Sequence, residues 1–244
     1  MNKTFIFDYD DTLAYNMFDY SLAELKFLEW VIRKLGPRSP NTQEIINLEV
    51  QIDKTAVKTM GFSMKRFPTS FMETYKQICE TLGLAAKKED LETAYDLGML
   101  AFNEKAWEER GLVPGATKTL DFLVEQKDEL LLLTKGDYEV QKKKLKATGC
   151  EKWFGDLDFG MRIAPNKDKS VILDFVGSRD KSRVWHVGNS IRSDVEPALE
   201  AGIGMIYIPF ETWAWEKEHN GKPEHPRLKT IKSIIEIKDI YYNL

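Results

Sequence analysis

Short apolar segments alternate with helical segments along most of the chain. Unbroken apolar runs are typical of strands that are buried on both faces of a sheet. Such runs occur in KTFIF (3–7), ELLLLT (129–134), RVWHVG (183–188) and GMIYIP (204–209), with a shorter candidate strand at 157–159; helical spacing is found at 118–126, 139–148, 170–176 and 194–201. Strands that alternate with helices are joined by right-handed crossovers and lie parallel. The sequence therefore predicts an α/β fold with a parallel sheet.

A long helical segment separates the first apolar run from the others. Apolar residues recur there at helical spacing, from about residue 19 to residue 107. Four helices are predicted, at 19–35, 42–60, 71–82 and 91–102. We therefore expect two domains. Residues 1–14 and 111–244 would form the α/β core, and residues 15–110 an inserted four-helix domain.

Composition and charge restrict the classes of function. The chain has 244 residues, 43% of them hydrophobic, and a net charge of −4. This mild acidity argues against binding to nucleic acid, which usually needs a concentrated basic face. The first residues lack the apolar stretch of a signal peptide, and the longest aliphatic run, 130–133, is too short to span a bilayer. We expect a cytoplasmic monomer or homodimer with no membrane or nucleic-acid partner.

Three carboxylates crowd the end of the first predicted strand. Asp8, Asp10 and Asp11 follow the apolar run directly, and no Lys or Arg occurs in the next dozen residues. Ligands of open parallel sheets bind at the carboxyl ends of the strands. We therefore expect Asp8 to lie near Thr134, which ends the second long run, and near Asn189, which follows the third.

The residue types expected at this edge indicate phosphoryl chemistry. Close carboxylates are tolerated where a cation lies among them, and oxygen ligands suit Mg²⁺. Asp194, at the start of a predicted helix, can supply a second carboxylate. Thr134, Lys135 and Gly136 offer a hydroxyl and free backbone N–H groups at the entrance to a helix, which is a common setting for an anion.

Four motifs, in order, resemble those of the haloacid dehalogenase-like phosphohydrolases. The matching segments are Asp8-Tyr9-Asp10-Asp11-Thr12, then LLLLTKGD with Thr134 and its sequel from Gln141 to Gly149, then Lys167 in PNKDKSVIL with Lys169 as a rival, and Gly188-Asn189-Ser190-Ile191-Arg192-Ser193-Asp194. The resemblance spans nearly the whole core. It implies a Rossmann-like parallel-sheet core, with the inserted helices as an α-helical cap domain.

The resemblance also implies a reaction: Mg²⁺-dependent hydrolysis of a small phosphomonoester through an aspartyl-phosphate. Asp8 would be the nucleophile. Asp10 would protonate the leaving oxygen and then accept a proton from water. Asp8, Asp194 and the backbone carbonyl of Asp10 would bind Mg²⁺.

The remaining motif positions would bind the phosphate. By the same resemblance, Thr134, Lys135 and Gly136 would contact its oxygens, and Lys167 would neutralise charge on the nucleophile and on the transferring group.

Some polar residues near the motifs have less certain roles. Asn189 stands where many relatives have Asp, so we expect it, with Ser193, to support the metal ligands without binding the metal directly. Asp11 is expected to be structural. His186 lies in an apolar strand, where a buried core histidine is the favoured interpretation over a ligand.

Other charged and aromatic residues leave alternatives open. The lysines at 142, 143, 144 and 146 are typical of a solvated helix face. Lys65 and Arg66 are predicted at a turn between two inserted helices, either as plain surface or as substrate-binding residues. Trp213, Trp215 and Glu216 fit either core packing or a lid.

Three other functions on this fold stay open. A dehalogenase would need the nucleophile but neither a metal nor an acid at Asp10. A phosphomutase would return the phosphoryl group to its substrate. A non-catalytic phosphate-binding protein would not need the complete set of motif residues. The sequence does not identify the substrate.

Overall fold

The computed structural model describes residues 2–61, 63–157, 159–210 and 223–244. It divides into two compact units, one formed by Met1–Tyr15 and Glu104–Leu244, the other by Asn16–Asn103. Trp213, Trp215 and Glu216 lie outside the described residues. We call the two parts the sheet unit and the helical unit.

The sheet unit contains a six-stranded parallel sheet. Its strand order is β3-β2-β1-β4-β5-β6, and every neighbouring pair is parallel. The strands are β1 (Thr4–Phe7), β2 (Glu129–Lys135), β3 (Met161–Ala164), β4 (Val184–Gly188), β5 (Gly204–Tyr207) and β6 (Leu228–Thr230). The predicted α/β fold with a parallel sheet is confirmed.

The unbroken apolar runs are explained by cores on both faces of the sheet. Successive side chains of a strand point to opposite faces. Phe5 and Phe7 of β1 therefore belong to one buried cluster, with Leu132 of β2, while Ile6 belongs to the other, with Leu133. All four residues of β1 are buried, and its position between β2 and β4 places its carboxyl end in the middle of the sheet.

Helices cover the sheet. They are α5 (Glu104–Arg110), α6 (Ala116–Glu125), α7 (Tyr138–Ala147), α8 (Glu151–Phe154), α9 (Lys169–Val176), α10 (Glu196–Glu200) and α11 (Ile237–Ile240), with a π-helical turn over Ile191–Val195 ahead of α10. The first two residues of the helix predicted at 194–201 therefore lie in this wider turn, and the α-helix itself begins at Glu196.

The strand predicted at 157–159 is wrong. Phe159 donates its backbone N–H to Asp156 in a turn, and its side chain is 84% exposed. The strand begins at Met161 instead, directly after Gly160, where a Cβ would lie 1.6 Å from the carbonyl oxygen of Phe154. The close approach of the turn to the end of α8 moves the strand along the chain.

The helical unit contains α1 (Met17–Leu35), α2 (Thr42–Met60), α3 (Arg66–Thr81) and α4 (Lys88–Met99). It has a hydrophobic core of its own, in which the rings of Phe27 and Phe71 stack with centroids 4.3 Å apart. α5 belongs to the sheet unit, where Lys143 of α7 donates to Glu104 at 2.6 Å. The helical unit therefore ends at Asn103, whereas the sequence predicts that the inserted domain ends at residue 110.

The sequence predicts Arg66 at a turn between two inserted helices, but the structure places it elsewhere. It opens α3, is buried, and forms an ion pair with Asp53 of α2 inside the helical unit. Beside it, Ser70 donates to the buried Glu49 at 2.6 Å. The neighbouring Lys65 is exposed.

In the part of the chain that the structure describes, no helix combines the length and the apolar character needed to cross a membrane.

Candidate active site

Asp8 lies directly after β1, at the carboxyl edge of the sheet. Its backbone N–H donates to Val187 of β4 at 2.8 Å, which continues the pairing of the two strands. Its side chain is nearly buried. Thr12 donates from Oγ1 towards Asp8 Oδ2 or Asn189 Oδ1, each 3.3 Å away. Asp11 adopts a positive φ of 57° and forms the turn that brings Thr12 back towards Asp8.

Lys167 joins two carboxylates at this edge. Its Nζ lies 2.5 Å from Asp8 Oδ1 and 2.6 Å from Asp194 Oδ1. Lys167 is buried, whereas Lys169 is exposed as the first residue of α9. Asp168 caps this helix by accepting from the N–H groups of its first turn, which fixes the chain just after Lys167. Of the two candidate lysines, the structure brings only Lys167 to Asp8.

The π-helical turn positions Asp194. Its Oδ2 accepts from the backbone N–H of Ser190 at 3.0 Å, and its Oδ1 lies 2.9 Å from His186 Nε2. A Cβ added to Gly188 would be 2.4 Å from Asp194 Cγ. Glycine at the end of β4 is therefore needed for the carboxylate to pack against the strand. Turns of this width are frequent at functional sites.

The two carboxyl groups that share this ammonium have different pKa values. Burial raises the pKa of Asp8 to about 7, opposed by Lys167 and reinforced by the nearby Asp194. Burial also acts to raise the pKa of Asp194, but Lys167 and His186 outweigh it and hold that pKa well below its usual range. For the imidazole of His186, burial lowers the pKa. Close groups of this kind titrate as a pair, with one carboxyl ionising first.

Asp10 is held by two side chains of α7. Gln141 Nε2 donates to its Oδ2 at 2.6 Å, and the Lys144 ammonium pairs with Oδ1. The sequence pattern predicts a solvated helix face at Lys144, but this residue is buried against Asp10. Lys143, one position earlier, is exposed and does fit that interpretation.

The three residues expected to bind phosphate have different surroundings. The hydroxyl of Thr134 is buried and has no hydrogen-bond partner among the described residues. Lys135 donates from Nζ to Ser193 Oγ at 2.9 Å. The N–H of Gly136 was expected to be free, but it donates to the carbonyl of Ala164 in the edge strand β3, in a long bond of 3.3 Å.

The atoms at this edge that could bind a metal ion are mainly oxygens. Across residues 2–61, 63–157, 159–210 and 223–244, no group of three or more His, Cys, Asp or Glu side chains is close enough to hold a metal ion. A cation beside Asp8 and Asp194 would therefore use two carboxylates with backbone carbonyl and water oxygens.

Sequence reasoning assigned no site role to His186 or Lys144. For His186 the available signal was one polar residue inside an otherwise apolar strand. For Lys144 it was the three-residue spacing from Gln141, which places both side chains on one face of a helix. Neither signal identifies the carboxylate that each residue contacts, because the π-helical turn sets the contact of His186 with Asp194 and the contact of Lys144 with Asp10 joins distant parts of the chain.

A family model described as a haloacid dehalogenase-like hydrolase matches residues 2–202. No curated protein matches the chain.

Several solved structures are similar over nearly their whole length. A haloacid dehalogenase-like family hydrolase from Xanthomonas campestris is 20% identical, with 99% of this chain and 95% of that chain covered and a TM-score of 0.73. A predicted phosphoglycolate phosphatase from Haemophilus somnus is 14% identical, with 98% of both chains covered and a TM-score of 0.58. The L-2-haloacid dehalogenase from Xanthobacter autotrophicus is 13% identical, with 100% of both chains covered and a TM-score of 0.55. At these identities the likeness shows the fold and does not select between phosphatase and dehalogenase.

Proposed function

We propose that this chain, which belongs to the haloacid dehalogenase-like hydrolases, is a Mg²⁺-dependent phosphohydrolase acting on a small phosphomonoester. The observation that carries the proposal is Asp10, a second carboxylate two residues after Asp8 that is held in place by Gln141 and Lys144. Displacement at carbon by a dehalogenase needs no acid for its leaving group, because halide leaves as an anion, whereas transfer of a phosphoryl group from a phosphomonoester needs an acid that protonates the leaving oxygen.

In this reaction Asp8 attacks phosphorus and forms an acyl phosphate as the bond to the leaving oxygen breaks. Asp10 gives its proton to that oxygen. Water then attacks the acyl phosphate and transfers a proton to Asp10, which releases inorganic phosphate and restores both carboxyl groups. Lys167 neutralises charge on Asp8, and the buried hydroxyl of Thr134 is suited to donate to a phosphoryl oxygen.

The residues at the edge fit Mg²⁺. Asp8 and Asp194 are two buried carboxyl groups that share the single ammonium of Lys167, so one negative charge is left over when both are ionised. Mg²⁺ is usually held by one or two carboxylates with several waters and a substrate phosphate. Asp8, Asp194 and the backbone carbonyl of Asp10 would hold it, with Asn189 and Ser193 nearby. When bound, it supplies neutralisation of phosphoryl charge.

The part of the substrate beyond the phosphate is not defined by these contacts. Lys135 and Gly136 lie beside Thr134 at the strand end and are proposed to contact phosphate. Lys65 is exposed on the helical unit and stays a proposed substrate contact. The burial of Arg66 and its pairing with Asp53 favour a structural role for that residue.

An aryl phosphate assay tests the proposal. The wild type should release phosphate with Mg²⁺ and stop in excess chelator, because phosphoryl charge would then be unneutralised. Asp8→Asn should reduce turnover to background while keeping the thermal unfolding temperature, because the amide has the same shape but is a poor nucleophile. The dehalogenase alternative predicts chloride release from a 2-chloro acid in excess chelator, and that result would refute the proposal.

A further inference from the structure

His186 is a polar side chain in an apolar setting. It lies in the middle of β4, is fully buried, and pairs in register with Ile6 of β1 and Met205 of β5. Both of those residues belong to the hydrophobic cluster on one face of the sheet. Burial of an imidazole without a hydrogen bond costs free energy that an aliphatic side chain at this position would not.

The hydrogen bond that offsets this cost is made to Asp194. His186 Nε2 lies 2.9 Å from Asp194 Oδ1, and both side chains are fully buried. Nδ1 is buried and has no partner within the described part of the chain. A proton on Nδ1 would therefore be an unsatisfied buried donor, so the geometry assigns the proton to Nε2. The neutral ring donates to the carboxylate.

With this bond, one oxygen of Asp194 accepts two hydrogen bonds. Oδ1 receives His186 Nε2 and Lys167 Nζ, whereas among the described residues Oδ2 receives only the backbone N–H of Ser190. A carboxylate oxygen accepts about two hydrogen bonds. Oδ1 is therefore saturated, and the remaining acceptor capacity lies on Oδ2.

We propose that His186 is a positioning residue that fixes the Asp194 carboxylate so that Oδ2 is presented to the divalent cation. The inference rests on the proposed function, because that function supplies the cation. Lys167 alone does not fix Asp194, since its ammonium is shared with Asp8. His186 and the Ser190 N–H are held by the strand and by the turn after it, and they hold the carboxylate from two sides.

Two substitutions separate positioning from simple packing. His186→Gln keeps a donor, because the glutamine amide nitrogen is as many bonds from Cα as imidazole Nε2. His186→Leu fills the space without a donor. Partners of metal-binding carboxylates usually contribute about 10- to 100-fold in metal affinity. Calorimetric titration of the full chain with MgCl₂ measures this affinity. We expect His186→Leu to lose Mg²⁺ affinity by this factor, and His186→Gln to stay within about threefold of the wild-type affinity.

Thermal unfolding of each variant tests for a packing defect. If His186→Leu does not fold, His186→Asn replaces it, because its amide is one bond shorter and does not reach Asp194. A donor role predicts weak Mg²⁺ binding by the folded Asn or Leu variant and recovery with Gln. A purely structural role predicts wild-type affinity in every folded variant, and that result would overturn the inference.

The wild type separates this test from that of the proposed function. If the wild type binds Mg²⁺ and hydrolyses an aryl phosphate while folded His186→Leu or His186→Asn binds equally well, the inference alone fails. If the wild type binds no Mg²⁺, the proposed function fails and the inference fails with it. Asp194→Ala is the reference for loss of the carboxylate, and its affinity should be at or below that of the His186→Leu variant.

Discussion

At the scale of single residues, Lys144 and Lys143 offer a matched pair on one helix. Lys144 is buried against Asp10, whereas Lys143 is exposed and pairs with Glu104. Lys144→Met should lower kcat for an aryl phosphate by about 10- to 100-fold, because Asp10 loses one of its two donors and its fixed orientation. Lys143→Met should leave kcat within about twofold, since an exposed ion pair contributes little. Steady-state kinetics of both variants measure the difference.

Equal kinetics for the two variants would show that Asp10 does not depend on Lys144. The corresponding change at Gln141, to Leu, provides a second measurement, because its Nε2 donates both to Asp10 and to the carbonyl of Lys135.

Glu49 gives a pH-dependent stability that is independent of catalysis. Burial raises its pKa to about 8 from the ordinary value of 4.5, against the hydrogen bond from Ser70 and with Asp53 and Glu24 adding to the rise. Between these two values the folded state keeps a proton that the unfolded state releases, so rising pH favours unfolding. Glu49→Gln carries no titrating group, so we expect it to gain stability over the wild type by roughly 3 kcal/mol from about pH 5 to pH 7.5.

Calorimetric unfolding of the wild type and the variant at these two pH values measures that change. The exposed Glu29, which pairs with Arg33 on α1, is the control. Glu29→Gln should show a much smaller change between the two pH values. A Glu49→Gln variant whose stability relative to wild type is the same at both pH values would contradict a raised pKa for Glu49.

The residues of the motifs were predictable, but their partners were not. Asp8, Lys167 and Asp194 follow strands or precede helices, so the rule for parallel sheets places them at one edge. His186 and Lys144 differ because they lie in the middle of an element. Lys144 contacts a carboxylate from a distant part of the chain, and His186 contacts one that the π-helical turn brings back to its strand. Residue type at regular spacing encodes neither contact.

At the scale of elements, the end of β4 and the turn after it act together. Gly188→Ala would place a Cβ 2.4 Å from Asp194 Cγ, so the carboxylate must move. We expect a loss of about 1–3 kcal/mol of stability from overpacking, together with loss of Mg²⁺ binding. Gly204→Ala is the control, because its Cβ would be 2.4 Å from the Trp185 ring in the neighbouring strand. It should destabilise the fold and leave Mg²⁺ affinity largely unchanged in the folded protein.

Thermal unfolding measures the stability of the two glycine variants, and titration with MgCl₂ measures their Mg²⁺ affinity. If Gly204→Ala weakens Mg²⁺ binding as much as Gly188→Ala does, the effect at Gly188 is one of general destabilisation and not of Asp194 position.

Elements with a clear apolar pattern were predicted well, and two short strands were not. α2 was predicted at 42–60 and is found at Thr42–Met60, because a capping box at Asn41 and the glycine at 61 define its two ends. β3 was misplaced because Gly160 packs against the carbonyl of Phe154 and forces a turn where the sequence favoured a strand. β6, with three partly exposed residues, has too little apolar pattern to be recognised.

At the scale of the whole molecule, the insertion interrupts the chain shortly after β1 and the carboxylates that follow it. The chain leaves the sheet unit at Tyr15 and returns to it at Glu104, so the helical unit separates, along the sequence, the proposed catalytic motif after β1 from the later strands of the sheet. The helical unit has its own core of buried residues. The sequence predicts an inserted helical segment because helical spacing persists without an intervening strand pattern, which is a property of many residues together and does not depend on any one contact.

The central position of β1 has a consequence during synthesis on the ribosome. β1 leaves the exit tunnel before both of its neighbours, yet Thr4 pairs with Glu129 on one side and with Val184 on the other. At about 5–20 residues per second, the second partner emerges on the order of ten to forty seconds after β1. During that interval Phe5, Ile6 and Phe7, which are fully buried in the finished protein, are exposed on the nascent chain. Binding of a chaperone to this segment would protect it until β4 is available, while the helical unit folds in between.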